Sequence, residues 1–171
     1  MKRMILLSLF CLAGIVMANA QRFALIDMEY IMENIPEYQQ ANNELELASQ
    51  QYQKAVEAKA KEAEALYLAY QKAANTLSAT QRTQKEEAIV AKEREAAELR
   101  KKYFGPEGEM AQKQEALIAP IQNRIYEAVK QISSQKGYDA VIDRASATSI
   151  IFASPRIDIS NEVLVKLGYS N

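Results

Sequence analysis

The dominant pattern along the chain is helical and runs from residue 37 to residue 135. Between Glu37 and Tyr103 there is no glycine and no proline, and most residues are good helix formers. Larger or apolar side chains recur at alternating steps of three and four. A run of this length is typical of a coiled coil or a projecting helical arm. We predict two long antiparallel helices over residues 37–135, joined at a tip near residues 75–80.

The outgoing helix is expected to run from Glu37 to Leu77, and much of its apolar stripe is alanine. Small residues let two helices approach closely but bury little area, so the hairpin should be held weakly along its length. Lys59 fills one gap in the stripe. The stripe consists of Tyr38, Ala41, Leu45, Ala48, Tyr52, Val56, Ala63, Leu66, Tyr70, Ala73 and Leu77.

Three local signals divide the hairpin. Ser78 and Gln81 have the spacing of a capping box, which predicts that the returning helix begins there. The alternative is an ordinary serine inside one continuous rod. Two glycines and a proline in Gly105–Gly108 predict a kink or short break, and Pro120 predicts a second bend.

The two ends of the chain are expected to form a small β-rich body from residues 21–36 and 136–171. We predict strands at Phe23–Met28, Ala140–Ile142 and Ser149–Ala153, with the last two joined as a hairpin. A closing helix should follow, with Ser160 as its N-cap. These pieces are too small to build much core alone, so other copies of the chain are expected to complete it.

The first twenty residues have the features of a secretory signal peptide. Lys2 and Arg3 precede an apolar stretch over residues 5–17, and Ala18-Asn19-Ala20 fits a cleavage site. The alternative, a retained membrane anchor, is disfavoured because the apolar stretch is short. We therefore expect the leader to be cleaved after Ala20 and the mature chain to leave the cytoplasm.

Composition argues against several classes of function. The chain has no histidine, and its one cysteine lies in the predicted leader, so the usual general base and a cysteine nucleophile are both missing. Without Lys2 and Arg3 the mature chain has 19 basic and 22 acidic side chains, a net charge of −3. We expect no enzyme activity, no metal, no cofactor and no nucleic-acid partner.

Both ends of the chain resemble the Skp/OmpH-like family of periplasmic chaperones. The residues that carry the resemblance are Phe23–Met28, Lys136–Asp143, Asp158–Ser160 and Val163-Leu164. The resemblance implies a mostly α fold, in which three chains share a small barrel-like β body and each projects a helical hairpin like a tentacle. It implies an ATP-independent holdase that keeps unfolded outer-membrane β-barrel proteins soluble in the periplasm. The alternative is a trimeric coiled-coil spacer or adaptor in the cell envelope.

Charge sets this chain apart from the strongly basic members of that family. Residues 37–135 carry 14 basic and 15 acidic side chains, so the hairpin is nearly neutral. No lipopolysaccharide-binding residue is therefore carried over from the family. Contact with a membrane surface or with lipopolysaccharide stays open, and weak apolar contact becomes the better candidate for holding a client.

Two sets of residues are candidates for these roles. The first set could contact a client or could instead pack within the hairpin seam. Seam packing fits Tyr52 and Tyr70 best. Tyr67 lies off the main stripe and is the best candidate for exposed contact. The candidate client-contact residues are Tyr52, Leu66, Tyr67, Tyr70, Tyr103, Phe104 and Met110. The candidate residues of the trimer body are Phe23, Leu25, Ile26, Val141, Ile142, Ile150, Ile151, Phe152 and Leu164.

Overall fold

A computed structural model describes residues 21–147 and 149–169, so the predicted signal peptide lies outside the described residues. The chain is mostly helical with a small two-stranded sheet. Short 3₁₀ turns lie at Ala74–Thr76 and Pro155–Ile157. The elements in order are β1 (Phe23–Ile26), α1 (Met28–Glu33), α2 (Pro36–Ala73), α3 (Ala79–Phe104), α4 (Glu109–Lys136), β2 (Ala140–Asp143) and α5 (Ser160–Leu167).

The chain divides into two compact units. Residues 32–125 form the first, which we call the hairpin unit. The described residues up to Ile31 and from Tyr126 onward form the second, which we call the sheet unit. Both strands and α5 belong to the sheet unit, whereas α2 and α3 belong to the hairpin unit.

In the hairpin unit, small side chains make up most of the buried face of α2. Pro36 opens α2 at its first position, where the missing N–H costs nothing. Three of the four buried residues of α2 are alanines, and the four buried positions recur at steps of seven or eight. The seam therefore brings the helices close without burying much apolar area. The buried residues are Ala41, Ala48, Val56 and Ala63 from α2, with Ile89 and Ala96 from α3.

The predicted capping box is present at the turn between these helices. The backbone N–H of Gln81 donates to Ser78 Oγ over 3.3 Å, and the N–H of Ser78 donates to Gln81 Oε1 over 3.0 Å. The continuous-rod alternative is thus wrong. The outgoing helix ends at Ala73 rather than Leu77, because Leu77 takes up the extended conformation that places Ser78 as the cap.

Residues Gly105–Gly108 separate α3 from α4, whereas Pro120 lies inside α4 without ending it. A Cβ added at Gly108 would lie 2.8 Å from the carbonyl oxygens of Lys102 and Tyr103. The last turn of α3 therefore leaves room only for glycine at this position. The break is a consequence of tight backbone packing as well as of helix-breaking residues.

In the sheet unit, β1 has a neighbour on each side. It pairs in parallel with β2, with Phe23 opposite Ala140 and Ile26 opposite Asp143. On its other side, Leu25 forms a parallel bridge with Asp158, and the N–H of Ile159 donates to the Leu25 carbonyl over 2.9 Å. The strands predicted at Phe23–Met28 and Ala140–Ile142 are present with different bounds: β1 ends at Ile26, since Met28 begins α1, and β2 extends to Asp143. Of the two, β1 is the central strand.

The predicted third strand at Ser149–Ala153 is wrong. Residues 149–153 contain no strand, and the chain after β2 turns at residues 144–146 without returning along the sheet. Ile151 is fully exposed and Phe152 is 84% exposed. Apolar alternation indicates a strand, but a strand also needs a neighbour to pair with, and this single chain supplies none at that position.

Ser160 is not the N-cap of α5, which is Ile159. Its hydroxyl is buried and accepts a hydrogen bond from the N–H of Asp27 over 2.8 Å. It also donates to Asp158 Oδ1 over 2.6 Å, and the same oxygen accepts from the Ser160 N–H. The serine therefore links β1 to the start of α5 rather than capping the helix.

Asp27, Asp143 and Asp158 form an aspartate cluster at the end of β1. Each lies in a different one of the segments that resemble the family. Arg144 lies between two carboxylates, with Nη2 3.1 Å from Asp27 Oδ2 and Nη1 3.4 Å from Asp158 Oδ2. Asp143 Oδ1 accepts from the N–H of Met28 over 3.0 Å. Partial burial alone would raise the pKa of Asp143. Hydrogen bonds from Met28, Ser146 and Ala145 to this residue outweigh that effect and lower its pKa below the ordinary value.

We expect Ser160→Ala to lower the free energy of unfolding by about 1–3 kcal/mol, because the half-buried Asp27 N–H would lose its acceptor. Urea denaturation at one protein concentration measures the change. Ser134→Ala is the matched control, since that exposed hydroxyl donates only to a carbonyl of its own helix. Equal effects of the two substitutions would show that the Ser160 link is unimportant.

Candidate functional site

Exposed apolar side chains form the candidate functional surface of the described residues. Across residues 21–147 and 149–169, no group of three or more histidine, cysteine, aspartate or glutamate side chains could hold a metal. In the same part of the chain, every buried side-chain nitrogen or oxygen has a hydrogen-bond partner. None of the helices described is both long and apolar enough to cross a membrane.

Three consecutive apolar residues on α2 are exposed, and we call them the distal patch: Leu66, Tyr67 and Leu68. Their exposed fractions are 38%, 47% and 47%. Successive residues of an α-helix point about 100° apart, so the three side chains spread apolar surface around much of the helix. One packing partner could not cover them all at once, and a partner with a variable shape could touch any of them.

An open groove of about 520 Å³ lies beside Tyr67, between α2 and α3. Four of its nine lining residues are alanines, and their small side chains leave space between the two helices. Three of the others are charged. The groove is lined by Val56, Ala60, Ala63, Glu64, Tyr67, Glu93, Ala96, Ala97 and Arg100.

Three candidate aromatic residues pack together at the break between α3 and α4. The rings of Tyr52 and Tyr103 are stacked, with centroids 4.1 Å apart and planes 5° apart. Phe104 meets Tyr52 edge-on at 6.3 Å. This packing agrees with the seam interpretation of Tyr52. Any contact of these rings with a client stays a prediction, and Phe104 remains 39% exposed.

Tyr52 also reaches across the break. Its hydroxyl hydrogen-bonds with Glu109, the first residue of α4, and Lys102 Nζ lies 3.1 Å from a Glu109 carboxylate oxygen. The hydrogen bond with Tyr52, followed by that with Lys102, lowers the pKa of Glu109. The same carboxylate raises the pKa of Tyr52. Tyr52 thus touches residues on both sides of Gly105–Gly108.

The other two candidates differ in their surroundings. Tyr70 donates a hydrogen bond from its hydroxyl to Glu86, which connects α2 to α3 near the turn and raises the pKa of Tyr70. Met110 is half-buried at the start of α4. The structure therefore leaves Leu66 and Tyr67 among the most exposed of the candidate residues, with Leu68 beside them. Leu68 lies outside the apolar stripe and, unlike Tyr67, is not aromatic, so no signal in the sequence singled it out.

A charged network holds the middle of the hairpin across the thin seam. Lys92 Nζ lies 2.8 Å from Glu95 on its own helix and 3.6 Å from Glu62 on the other. Lys59 makes the reciprocal pairs, at 3.1 Å to Glu62 and 3.7 Å to Glu95. Hydrogen bonds from the lysines lower the pKa of both carboxylates. Lys59 in the apolar stripe was the one signal of this network in the sequence.

We expect Tyr52→Phe to raise the pKa of Glu109, since the hydrogen bond that contributes most to lowering that pKa would be lost. NMR titration of the Glu109 carboxyl carbon measures this pKa. The folded-state pKa is lowered, so the stabilisation is present above the unfolded-state value of about 4.3 and is lost as the pH falls through the folded-state pKa.

Tyr70→Phe is the control for this substitution, because it removes a similar hydroxyl–carboxylate hydrogen bond elsewhere on the hairpin. The pKa of Glu109 should not move in that variant. An unchanged Glu109 pKa in Tyr52→Phe would contradict the contact across the break.

Known proteins resemble this chain in both sequence and fold. The family model described as Outer membrane protein (OmpH-like) matches residues 22–167. Chaperone protein Skp of Yersinia enterocolitica is 27% identical over 153 residues, which cover 90% of each chain. A crystal structure of an OmpH-like outer membrane chaperone from Caulobacter crescentus CB15 superposes with a TM-score of 0.66. It is 12% identical and covers 86% of this chain and 83% of its own, so it supports the fold alone.

The family match includes every segment on which the sequence resemblance rests, from β1 through the aspartate cluster to α5. These segments are distant along the chain and meet in one unit of the structure. The chain therefore belongs to the Skp/OmpH-like family.

Proposed function

We propose that this protein is an ATP-independent holdase that binds unfolded outer-membrane β-barrel proteins in the periplasm and keeps them soluble during transit. Membership of a chaperone family supports the general role. The observation that carries the proposal is the distal patch, since folding of the hairpin unit leaves those side chains uncovered. Unfolded β-barrel proteins expose apolar side chains that need temporary cover.

Contact with such a client is expected to be weak at each point and spread over many points. Exposed leucines and tyrosines give apolar area with little ordering cost, and tyrosine adds a polar tip. The hairpin segment is nearly neutral, with 14 basic and 15 acidic side chains over residues 37–135, so long-range electrostatic capture contributes little. Several hairpins acting on one client would raise the total affinity by multivalency.

We also propose that three copies share their sheet units as a barrel-like base. The number three comes from the family resemblance. Support for sharing comes from exposed apolar side chains near the sheet, with Phe23 44% and Ile142 40% exposed and Phe152 more so. Since β1 lies between β2 and Asp158, the outer edge of β2 has no strand beside it among the described residues. A strand edge without a neighbour is a place where another copy of the chain can pair.

Replacing Leu66, Tyr67 and Leu68 together by glutamine should weaken client affinity about tenfold, through the loss of roughly 1.4 kcal/mol of apolar contact. Glutamine keeps helix propensity, so the hairpin should stay folded. The measurement is suppression of precipitation of a denatured β-barrel protein, without ATP, over a range of chaperone concentrations.

Asn42→Gln with Asn43→Gln is the control for that variant, because it places glutamine at exposed positions of α2 without removing apolar surface. It should act like the unaltered protein. If the unaltered protein fails to prevent precipitation, the holdase proposal is wrong and the spacer alternative gains. If the unaltered protein prevents precipitation and the triple variant is equally active, the distal patch is not the contact surface.

Ile151→Ser with Phe152→Ser should convert trimer to smaller species in sedimentation velocity at micromolar concentration. The reason is that both side chains are exposed in the single chain and would be covered only by another copy. Val165→Ser, on an exposed position of α5, is the control and should remain trimeric. A folded monomer of the unaltered protein at this concentration would contradict the shared base.

A further inference from the structure

The predicted cleavage site determines which residue comes first in the mature chain, and that residue is Gln21. Glutamine at a free N-terminus differs from other residues, because its own α-amine can reach its side-chain carboxamide and close an unstrained lactam ring. We propose that Gln21 is a modification site and that the mature protein carries pyroglutamate there. The proposal rests on export and cleavage after Ala20, which belong to the proposed function.

The reaction is an intramolecular aminolysis and needs no co-reactant. The neutral α-amine of Gln21 attacks the side-chain carbonyl carbon Cδ. A bond forms between the α-nitrogen and Cδ, and the bond between Cδ and Nε2 breaks. One proton passes from the attacking amine to the leaving nitrogen, which departs as ammonia. No oxidation or reduction takes place.

The structure keeps Gln21 accessible while anchoring the residue that follows it. Gln21 is exposed. The backbone N–H of Arg22 donates to Asp139 Oδ2 over 2.8 Å, and the N–H of Asp139 donates to the Arg22 carbonyl over 2.8 Å. Every bond that changes lies within Gln21. The lactam therefore leaves both of these hydrogen bonds in place.

Charged side chains of both signs lie around this end of β1. The Arg22 guanidinium donates to the carbonyl of Lys136 over 2.6 Å and lies 5.4 Å from the ring centre of Tyr138. The Lys136 ammonium is paired with Glu162 at 2.6 Å. A free α-amine is mostly protonated at neutral pH. The lactam removes that charge, and it blocks aminopeptidases, which require a free amine.

The test is mass spectrometry of the mature protein isolated from the periplasm of cells that produce the full chain. Cleavage after glutamate releases residues 21–29 as the N-terminal peptide. We expect this peptide to begin at residue 21 and to lack one ammonia. Chemical sequencing of the intact protein should be blocked, and pyroglutamyl aminopeptidase should restore it with Arg22 as the first residue read.

Gln21→Asn is the matched control, because it keeps a side-chain amide that is one methylene too short for the same ring. The N-terminus of this variant should be open to chemical sequencing, and its N-terminal peptide should have the mass calculated for the unmodified sequence. Residues 21–29 with an intact Gln21 would overturn the modification and leave export standing. A retained leader or a different first residue would overturn the cleavage as well. Equal loss of ammonia in Gln21→Asn would also overturn the proposal, by placing that loss elsewhere.

Discussion

The alanine-rich seam of the hairpin limits how much apolar surface this protein can bury on its own. Two helices in contact each bury only a narrow stripe, and Ala41, Ala48 and Ala63 contribute little area to it. Larger apolar side chains therefore remain on the outside. An exposed Leu66 or Tyr67 is a direct result of a thin seam, and the same result supplies the surface that a holdase needs.

Polar contacts compensate for the thin seam at particular points along the hairpin. The lysine–glutamate network spans the middle, Tyr70 reaches Glu86 near the turn, and Tyr52 reaches Glu109 across the break. Exposed ion pairs each contribute little to stability. They do favour one register over another, which an alanine seam does poorly. The polar contacts thus fix how the helices of the hairpin align, while larger apolar side chains remain exposed.

The sheet unit has the opposite character. Its internal contacts are specific, since the aspartate cluster links three distant segments through a buried serine and a shared arginine. Its apolar surface is nevertheless incomplete, with Ile151 and Phe152 uncovered. Specific polar contacts together with uncovered apolar residues are what we expect of a body that other copies complete, and the proposed trimer contacts therefore include these residues.

The residues alone indicate the helices, their turn at Ser78, the break at Gly105–Gly108 and the family, because propensity, capping chemistry and helix-breaking residues act over a few neighbouring positions. They do not show that β1 pairs in parallel with β2, that Ser160 binds Asp27, or that Tyr52 stacks on Tyr103. Those contacts join residues far apart along the chain, and many alternative pairings would satisfy the same local pattern. The strand predicted at Ser149–Ala153 was wrong for a related reason. Its alternation is real, but pairing depends on a neighbour, which a local pattern does not contain.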